Sequence, residues 1–176
     1  MKKEKYIATL VGCAIGDTLG MCVEGWKREQ IKKYVGKINS PLSQVIIKSS
    51  NGKKIEEDEF GKLKSYNEGL EVGDVTDDTI LTLALAESII ETGGLDIYDI
   101  AKKQLKAYES KINSGSKVIF GFGYTTIEGF KNLQNGISPL HSGIIGSPGN
   151  APGMKMSPVW LYMDATGKYE GGLIFR

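Results

Sequence analysis

Residues 73–94 read Gly73-Asp-Val-Thr76-Asp77-Asp78-Thr79-Ile-Leu-Thr-Leu-Ala-Leu-Ala-Glu87-Ser-Ile-Ile-Glu-Thr92-Gly93-Gly94, and this stretch decides the fold. Ile80, Leu81, Leu83, Ala84, Leu85, Ala86, Ile89 and Ile90 leave little polar face, so the pattern predicts a helix from Asp77 to Thr92 at the centre of a helical bundle. Gly93-Gly94 supplies the stop. The entrance to that helix carries two adjacent carboxylates and two hydroxyls where the helix dipole is positive. Acidic residues there contribute about 0.3–1 kcal/mol to a helix by complementing the dipole, which is one sufficient reason for them. The other reading is chemical: Thr76, Asp77 and Asp78 are hard oxygen donors with no nitrogen or sulfur nearby, a set suited to Mg²⁺ with waters retained.

On the N-terminal side, Ile7, Leu10, Val11, Ala14 and Ile15 follow the spacing of an amphipathic helix over residues 4 to about 20. Ala8, Gly12, Gly16 and Gly20 recur every fourth residue, so one face of that helix is nearly bare backbone. Interior helical glycine costs about 1 kcal/mol relative to alanine, which points to close packing or a site, unless the helix simply ends at Gly16 or Gly20. Gly16-Asp17-Thr-Leu-Gly20 followed by Glu24 places two carboxylates around this glycine-rich end. A short helix is expected at Arg28 to Tyr34. Val45 to Ile55, with Asn51-Gly52 suited to a type I′ turn, is expected to form a small β-hairpin. The acidic run Glu56 to Glu59 reads as a solvated loop.

On the C-terminal side, Asp96 is a candidate cap for a helix whose Ile97, Ile100, Ala101, Leu105, Tyr108 and Ile112 form one stripe ending near Asn113. A further helix is expected from Thr126 to Leu133, and after Gly136 a loop rich in Gly, Pro and Ser. Within it, Gly143-Ile-Ile-Gly146-Ser147-Pro-Gly149-Asn150-Ala151-Pro-Gly153-Met154-Lys155 has glycines close enough for backbone N–H groups to surround an anion, and Lys155 to add charge. It lacks the spacing of a Walker A loop.

A chain of 176 residues with no internal repeat or long linker is expected to form a single domain over residues 1–176. Its 22 Lys plus Arg against 21 Asp plus Glu leave a net charge of +1, which gives no global field for nucleic acid or an anionic membrane. His141 is the only histidine, and Cys13 and Cys22 make no CxxC pair, so zinc and Ser-His-Asp chemistry lack parts. No run approaches the roughly 20 apolar residues that span a bilayer. Leu10-Val-Gly-Cys13 resembles a lipoprotein cleavage box, but the helical period continues through it, and the expected setting is a reducing cytoplasm.

Three of these segments share a resemblance in type, order and spacing. Gly12-Cys-Ala-Ile-Gly16-Asp17-Thr-Leu-Gly20-Met-Cys-Val-Glu24 resembles the opening of the ADP-ribosylglycohydrolases, a family that includes the dinitrogenase reductase-activating glycohydrolase. Thr76-Asp77-Asp78-Thr79 is similar to that family's metal-binding signature, and Gly149-Asn150-Ala151-Pro-Gly153-Met154-Lys155 to its Gly-Asn-Gly-Ala-Ala-Met-Arg loop. The resemblance implies an all-α, orthogonal multi-helix bundle enclosing two Mg²⁺ ions in a cleft for ADP-ribose. Matched by position, Thr76, Asp77 and Asp78 are implied metal ligands. Ser147, Gly149, Asn150, Gly153 and Met154 are implied to face the pyrophosphate and ribose, and Asp17 to support the site. Glu24 or Asp77 is the implied base for attack of water at the ribose anomeric carbon, with an ADP-ribosylated protein or small compound as substrate.

The family completes its metal site with a C-terminal Asp-x-Asp-Ser/Thr motif, to which the nearest approach here is Asp164-Ala-Thr166. The reading is therefore of a domain truncated relative to the family, with its second metal site incomplete and exposed apolar surface. Such a surface is expected to self-associate or to take a complementing chain. A hydrolase, an ADP-ribose-binding module without turnover and a structural protein whose motifs are only caps and turns remain the three function classes.

Overall fold

Thr76 starts the helix against which most of the others pack. In the computed structural model, which describes residues 3–34, 36–38, 73–114, 121–147 and 149–168, its hydroxyl accepts from the Asp78 amide at 3.2 Å and opens α3 (Asp77–Thr92). Gly93 ends that helix at φ +68°, a left-handed conformation that glycine adopts without Cβ strain. The described residues are all-α: α1 (Lys3–Gly20), a 3-10 turn at Met21–Val23, α2 (Arg28–Tyr34), α3, α4 (Ile97–Asn113), α5 (Tyr124–Gln134), α6 (Ala151–Met154) and α7 (Ser157–Thr166). Asp96 caps α4 as its sequence position suggested, its side chain accepting from the amides of Tyr98 and Asp99.

Two clusters form the core, both built on α3. Leu81 packs with Tyr108, Phe122 and Phe130, whose ring centroids lie 4.9–6.3 Å apart. Tilted and edge-on ring pairs of this kind add about 0.5–1.5 kcal/mol each beyond the area they bury. One turn further along, Leu85 and Ile89 pack with Val159 and Met163 of α7. α7 is a correction, because residues beyond Gly136 read as loop in the sequence. Pro158 sits in its first turn, where a missing N–H costs no intrahelical bond, and Val159 and Met163 then fall four residues apart on the face that meets α3.

Hydrogen bonds and ion pairs cross this frame, although the buried Ser157 hydroxyl at the start of α7 has no partner among the described residues. The fully buried Ser88 donates to Asp99 Oδ2 at 2.6 Å, tying α3 to α4. Lys103 of α4 bridges Glu87 and Glu91 at 3.1 and 2.7 Å, but the two carboxylates are well exposed, so the pair adds little stability.

α3 is not enclosed on all sides as its composition suggested: Leu83 is 50% and Ile90 79% exposed. On α1, Ile7, Val11 and Ile15 are likewise about half exposed. The expected hairpin at 45–55 and the acidic run at 56–59 lie outside the described residues. Among those described, no helix is long and apolar enough to cross a membrane.

Candidate active site

Asp17, in the last turn of α1, is buried and accepts four hydrogen bonds from the start of α3. Its Oδ1 takes the Thr76 hydroxyl at 2.8 Å. Its Oδ2 takes the Thr76 amide at 2.9 Å, the Thr79 amide at 3.2 Å and the Thr79 hydroxyl at 2.6 Å. Two of these donors are backbone N–H groups left without intrahelical partners at a helix start, so the carboxylate satisfies them while joining two helices. Thr18 adds a bond to the Asp74 carbonyl at 3.0 Å.

This clamp sets one wall of a cleft of about 370 Å³, lined by Asp17, Glu24, Thr76, Asp77 and Asp78. Gly16, Gly20 and Met21 complete that side. The facing wall is mostly backbone and small side chains: Gly121, Gly123, Thr125 and Thr126 ahead of and within α5, and Gly149, Asn150, Ala151 and Met154 around α6.

Crowded carboxylates in a partly dry cleft resist ionisation. Burial, then the Asp78 charge, then those of Asp17 and Glu24 push the Asp77 carboxyl up to about 7, against a lowering hydrogen bond from its own backbone amide. Asp78 is raised by burial and then by Asp17. Glu24, at the exposed rim, is raised by burial, then by Asp78 and Asp17. A cation brought among them relieves all three effects. Lys155 lies behind the loop, where burial pushes its ammonium down and the Asp77 charge opposes that. Its Nζ donates to Gln104 Oε1 at 2.9 Å, while Gln104 Nε2 reaches the Leu81 carbonyl at 3.4 Å.

The structure brings most of the sequence-predicted residues together. Glu24, Thr76, Asp77, Asp78, Gly149, Asn150 and Met154 line one cleft. Ser147 instead lines a neighbouring cavity of about 520 Å³, which shares Thr125, Thr126, Gly149 and Ala151 with the cleft and has Phe130, Ile100 and Ile144 among its walls. Gly153 lines neither cavity, its amide being turned back to the Asn150 carbonyl as α6 forms. Sequence reading missed Gly121. It stands at φ +80°, and a side chain there would overlap the Asp77 carboxylate and Thr76. Only the paired glycines of Gly121-Phe122-Gly123 hinted at it. Gly149 is similarly close to the Thr125 hydroxyl.

Oxygen donors that repel one another fit a hard divalent cation by type, and Lys155, the buried ammonium whose charge interacts with Asp77, gives its hydrogen bond to Gln104 instead. The Thr76 hydroxyl donates to Asp17 and accepts from the Asp78 amide, which leaves one lone pair for a cation. Among the described residues, no three His, Cys, Asp or Glu side chains form a ready coordination set.

Comparison with known proteins shows the family. The family model of the ADP-ribosylglycohydrolases matches residues 1–170. An uncharacterized protein of Archaeoglobus fulgidus is 28% identical over 159 residues, covering 90% of this chain and 43% of its own. ADP-ribosylarginine hydrolase Tri1 of Serratia proteamaculans is 28% identical over 160 residues, covering 90% of this chain and 37% of its own. YegU of Escherichia coli is 27% identical over 121 residues, covering 69% and 31%. The chain thus spans less than half the length of each of these relatives.

Proposed function

The chain belongs to the ADP-ribosylglycohydrolase family, and from that premise we propose that its acidic cleft hydrolyses the bond between ADP-ribose and a modified side chain, arginine being the first candidate. The observation that carries this reading is the meeting of Glu24, Asp77 and Asp78 with the Gly149–Met154 segment across one cleft. The arginine linkage is taken from the similarity to the Serratia hydrolase.

In this reading Asp77 and Asp78 hold Mg²⁺ with waters retained, since Mg²⁺ binds through one or two carboxylates. When bound, the ion supplies charge to orient the sugar hydroxyls and acidify a water. The protein's residues do the rest. Backbone N–H groups of the Gly149–Ala151 turn face the pyrophosphate, and the apolar neighbouring cavity takes the far end of the nucleotide. Glu24, exposed at the rim and reluctant to ionise, accepts the proton of the attacking water. The water oxygen bonds to the anomeric carbon as the carbon–nitrogen bond breaks, and the departing guanidine nitrogen takes up a proton. Asp77, buried and packed against Gly121, is the alternative acceptor.

The test is release of ADP-ribose from ADP-ribosylated arginine with Mg²⁺ or with chelator, in wild type and in Glu24→Gln and Asp77→Asn. Turnover that needs Mg²⁺ and falls at least a hundredfold in both variants supports the reading. A second reading, an ADP-ribose-binding module without turnover, uses the same glycine-rich wall and neighbouring cavity. Micromolar ADP-ribose affinity by calorimetry with no release under any condition would select it.

A further inference from the structure

Lys155, whose place in the sequence suggests added charge for the glycine loop, lines the neighbouring cavity rather than the acidic cleft. Its ammonium donates at 2.9 Å to Gln104, a residue of α4 that belongs to none of the sequence motifs. Gln104 is 5% exposed, and both ends of its amide are used. Nε2, a donor, faces the Leu81 carbonyl of α3 at 3.4 Å, while Oε1, an acceptor, faces the ammonium. The flipped amide would set NH₂ against NH₃⁺ and oxygen against oxygen, so its neighbours fix one orientation. Gln104 thereby joins α3 and α4 to the residue that closes α6.

The segment this contact reaches has little else to hold it. Its backbone bonds are largely to itself: the amides of Gly153 and Met154 donate to the Asn150 carbonyl, and that of Met156 to the Gly153 carbonyl. Met154 packs against the aromatic cluster around Leu81. Among the described residues, the Lys155–Gln104 bond is the one side-chain hydrogen bond that ties residues 149–156 to another helix. A flexible methionine tolerates sliding, whereas a charge-assisted bond fixes a distance and a direction. We propose that Gln104 is a positioning residue for this wall: by holding Lys155 it sets where the Gly149–Ala151 amides stand in the cleft, and so sets the affinity for ADP-ribose without touching the ligand. The affinity clause rests on the proposed function, while the tether does not. A displacement of about 1 Å, far from the chemistry, can cost an enzyme about a hundredfold, so one such anchor is enough to matter.

The test is ADP-ribose affinity by calorimetry with Mg²⁺, together with amide hydrogen exchange, in wild type, Gln104→Met and Gln104→Glu. Gln104→Met keeps the length of the side chain and the charge of Lys155 but cuts the tether. Affinity should fall about tenfold, and exchange at Met154 and Met156 should quicken about tenfold more than at Leu85 and Ile89 in the α3 core. Gln104→Glu keeps an acceptor for Lys155 while cancelling its charge, so affinity should stay within about threefold of wild type. Simple attraction between the ammonium and the pyrophosphate requires the opposite ranking, with Gln104→Glu the weaker binder, and that ranking overturns the proposal. So does a Gln104→Met protein whose affinity and exchange match wild type. Should Gln104→Met not fold, Gln104→Glu decides alone, a loss of about tenfold being the refutation. Wild type that binds no ADP-ribose overturns the proposed function and the affinity clause together. Wild type that binds it, with variants indifferent, overturns this inference and leaves the proposed function standing.

Discussion

Removing the Asp17 carboxylate should be among the most damaging single changes in the described residues. Asp17→Ala strips the acceptor from two backbone N–H groups and two hydroxyls, all on Thr76 and Thr79, which are 6% and 3% exposed. A hydrogen bond to a charged group is worth about 1.5–3 kcal/mol net, and a buried donor left unpaired costs about 1–3 kcal/mol. The four share one acceptor and do not add, and removing a negative charge relieves Asp77, Asp78 and Glu24. The expected net loss is about 3–5 kcal/mol, or on the order of 10 °C in melting temperature for a chain of this size. Asp17→Asn keeps one carbonyl oxygen for the Oδ2 partners, and the Thr76 hydroxyl can rotate to accept from the new amide. That variant should lose only about 1–2 kcal/mol. Urea unfolding followed by circular dichroism at pH 7.5 with chelator measures both. Asp17→Ala within 1 kcal/mol of wild type would refute the clamp and give the site to charge repulsion.

Three further outcomes follow from the same geometry. The folded chain holds the Asp77 proton up to about pH 7 while the unfolded chain releases it near 3.8, so this group's contribution to metal-free stability is complete below 3.8 and is lost as pH rises to 7. The loss is on the order of 4 kcal/mol at most, and Mg²⁺ should raise the melting temperature more at pH 8 than at pH 5. A metal-free melting curve unchanged between these pH values would contradict this. Gly121→Ala forces a side chain into the Asp77 carboxylate from a positive φ, which costs about 1–2 kcal/mol in backbone strain alone. It should also weaken Mg²⁺ binding by calorimetry at least tenfold, whereas Gly123→Ala, with open space at φ −67°, should not. Phe130→Ala opens the aromatic core and should lose about 3–5 kcal/mol in urea, against less than 0.5 kcal/mol for Ile145→Ser at the exposed loop tip.

The parts legible in the sequence were those whose signals are local. Thr76 and Gly93 bound α3 at the residues expected, because a cap and a left-handed stop act within one turn. Asp96 announced α4 for the same reason. What covers a face is not local, which is why the stripe on α1 predicted a helix correctly yet leaves Ile7, Val11 and Ile15 half exposed. The spacing of the glycine loop implies one continuous wall, but the turn of α6 sends Ser147 to the next cavity and Gly153 away from both. Gly121 depends on a carboxylate far along the chain, and nothing next to it in sequence signals that contact. α7 was hidden by the density of Gly and Pro before it, although Val159 and Met163 carry the right spacing.

The two walls of the cleft are built from different materials. On one side a single carboxylate locks two helices together, so altering any residue there disturbs every other at once. On the other, loops and the ends of short helices present glycine backbone that can be redrawn piecemeal. Under the proposed function, changes of acceptor should therefore accumulate between residues 121 and 154, and a directed library aimed at altered selectivity belongs on that side.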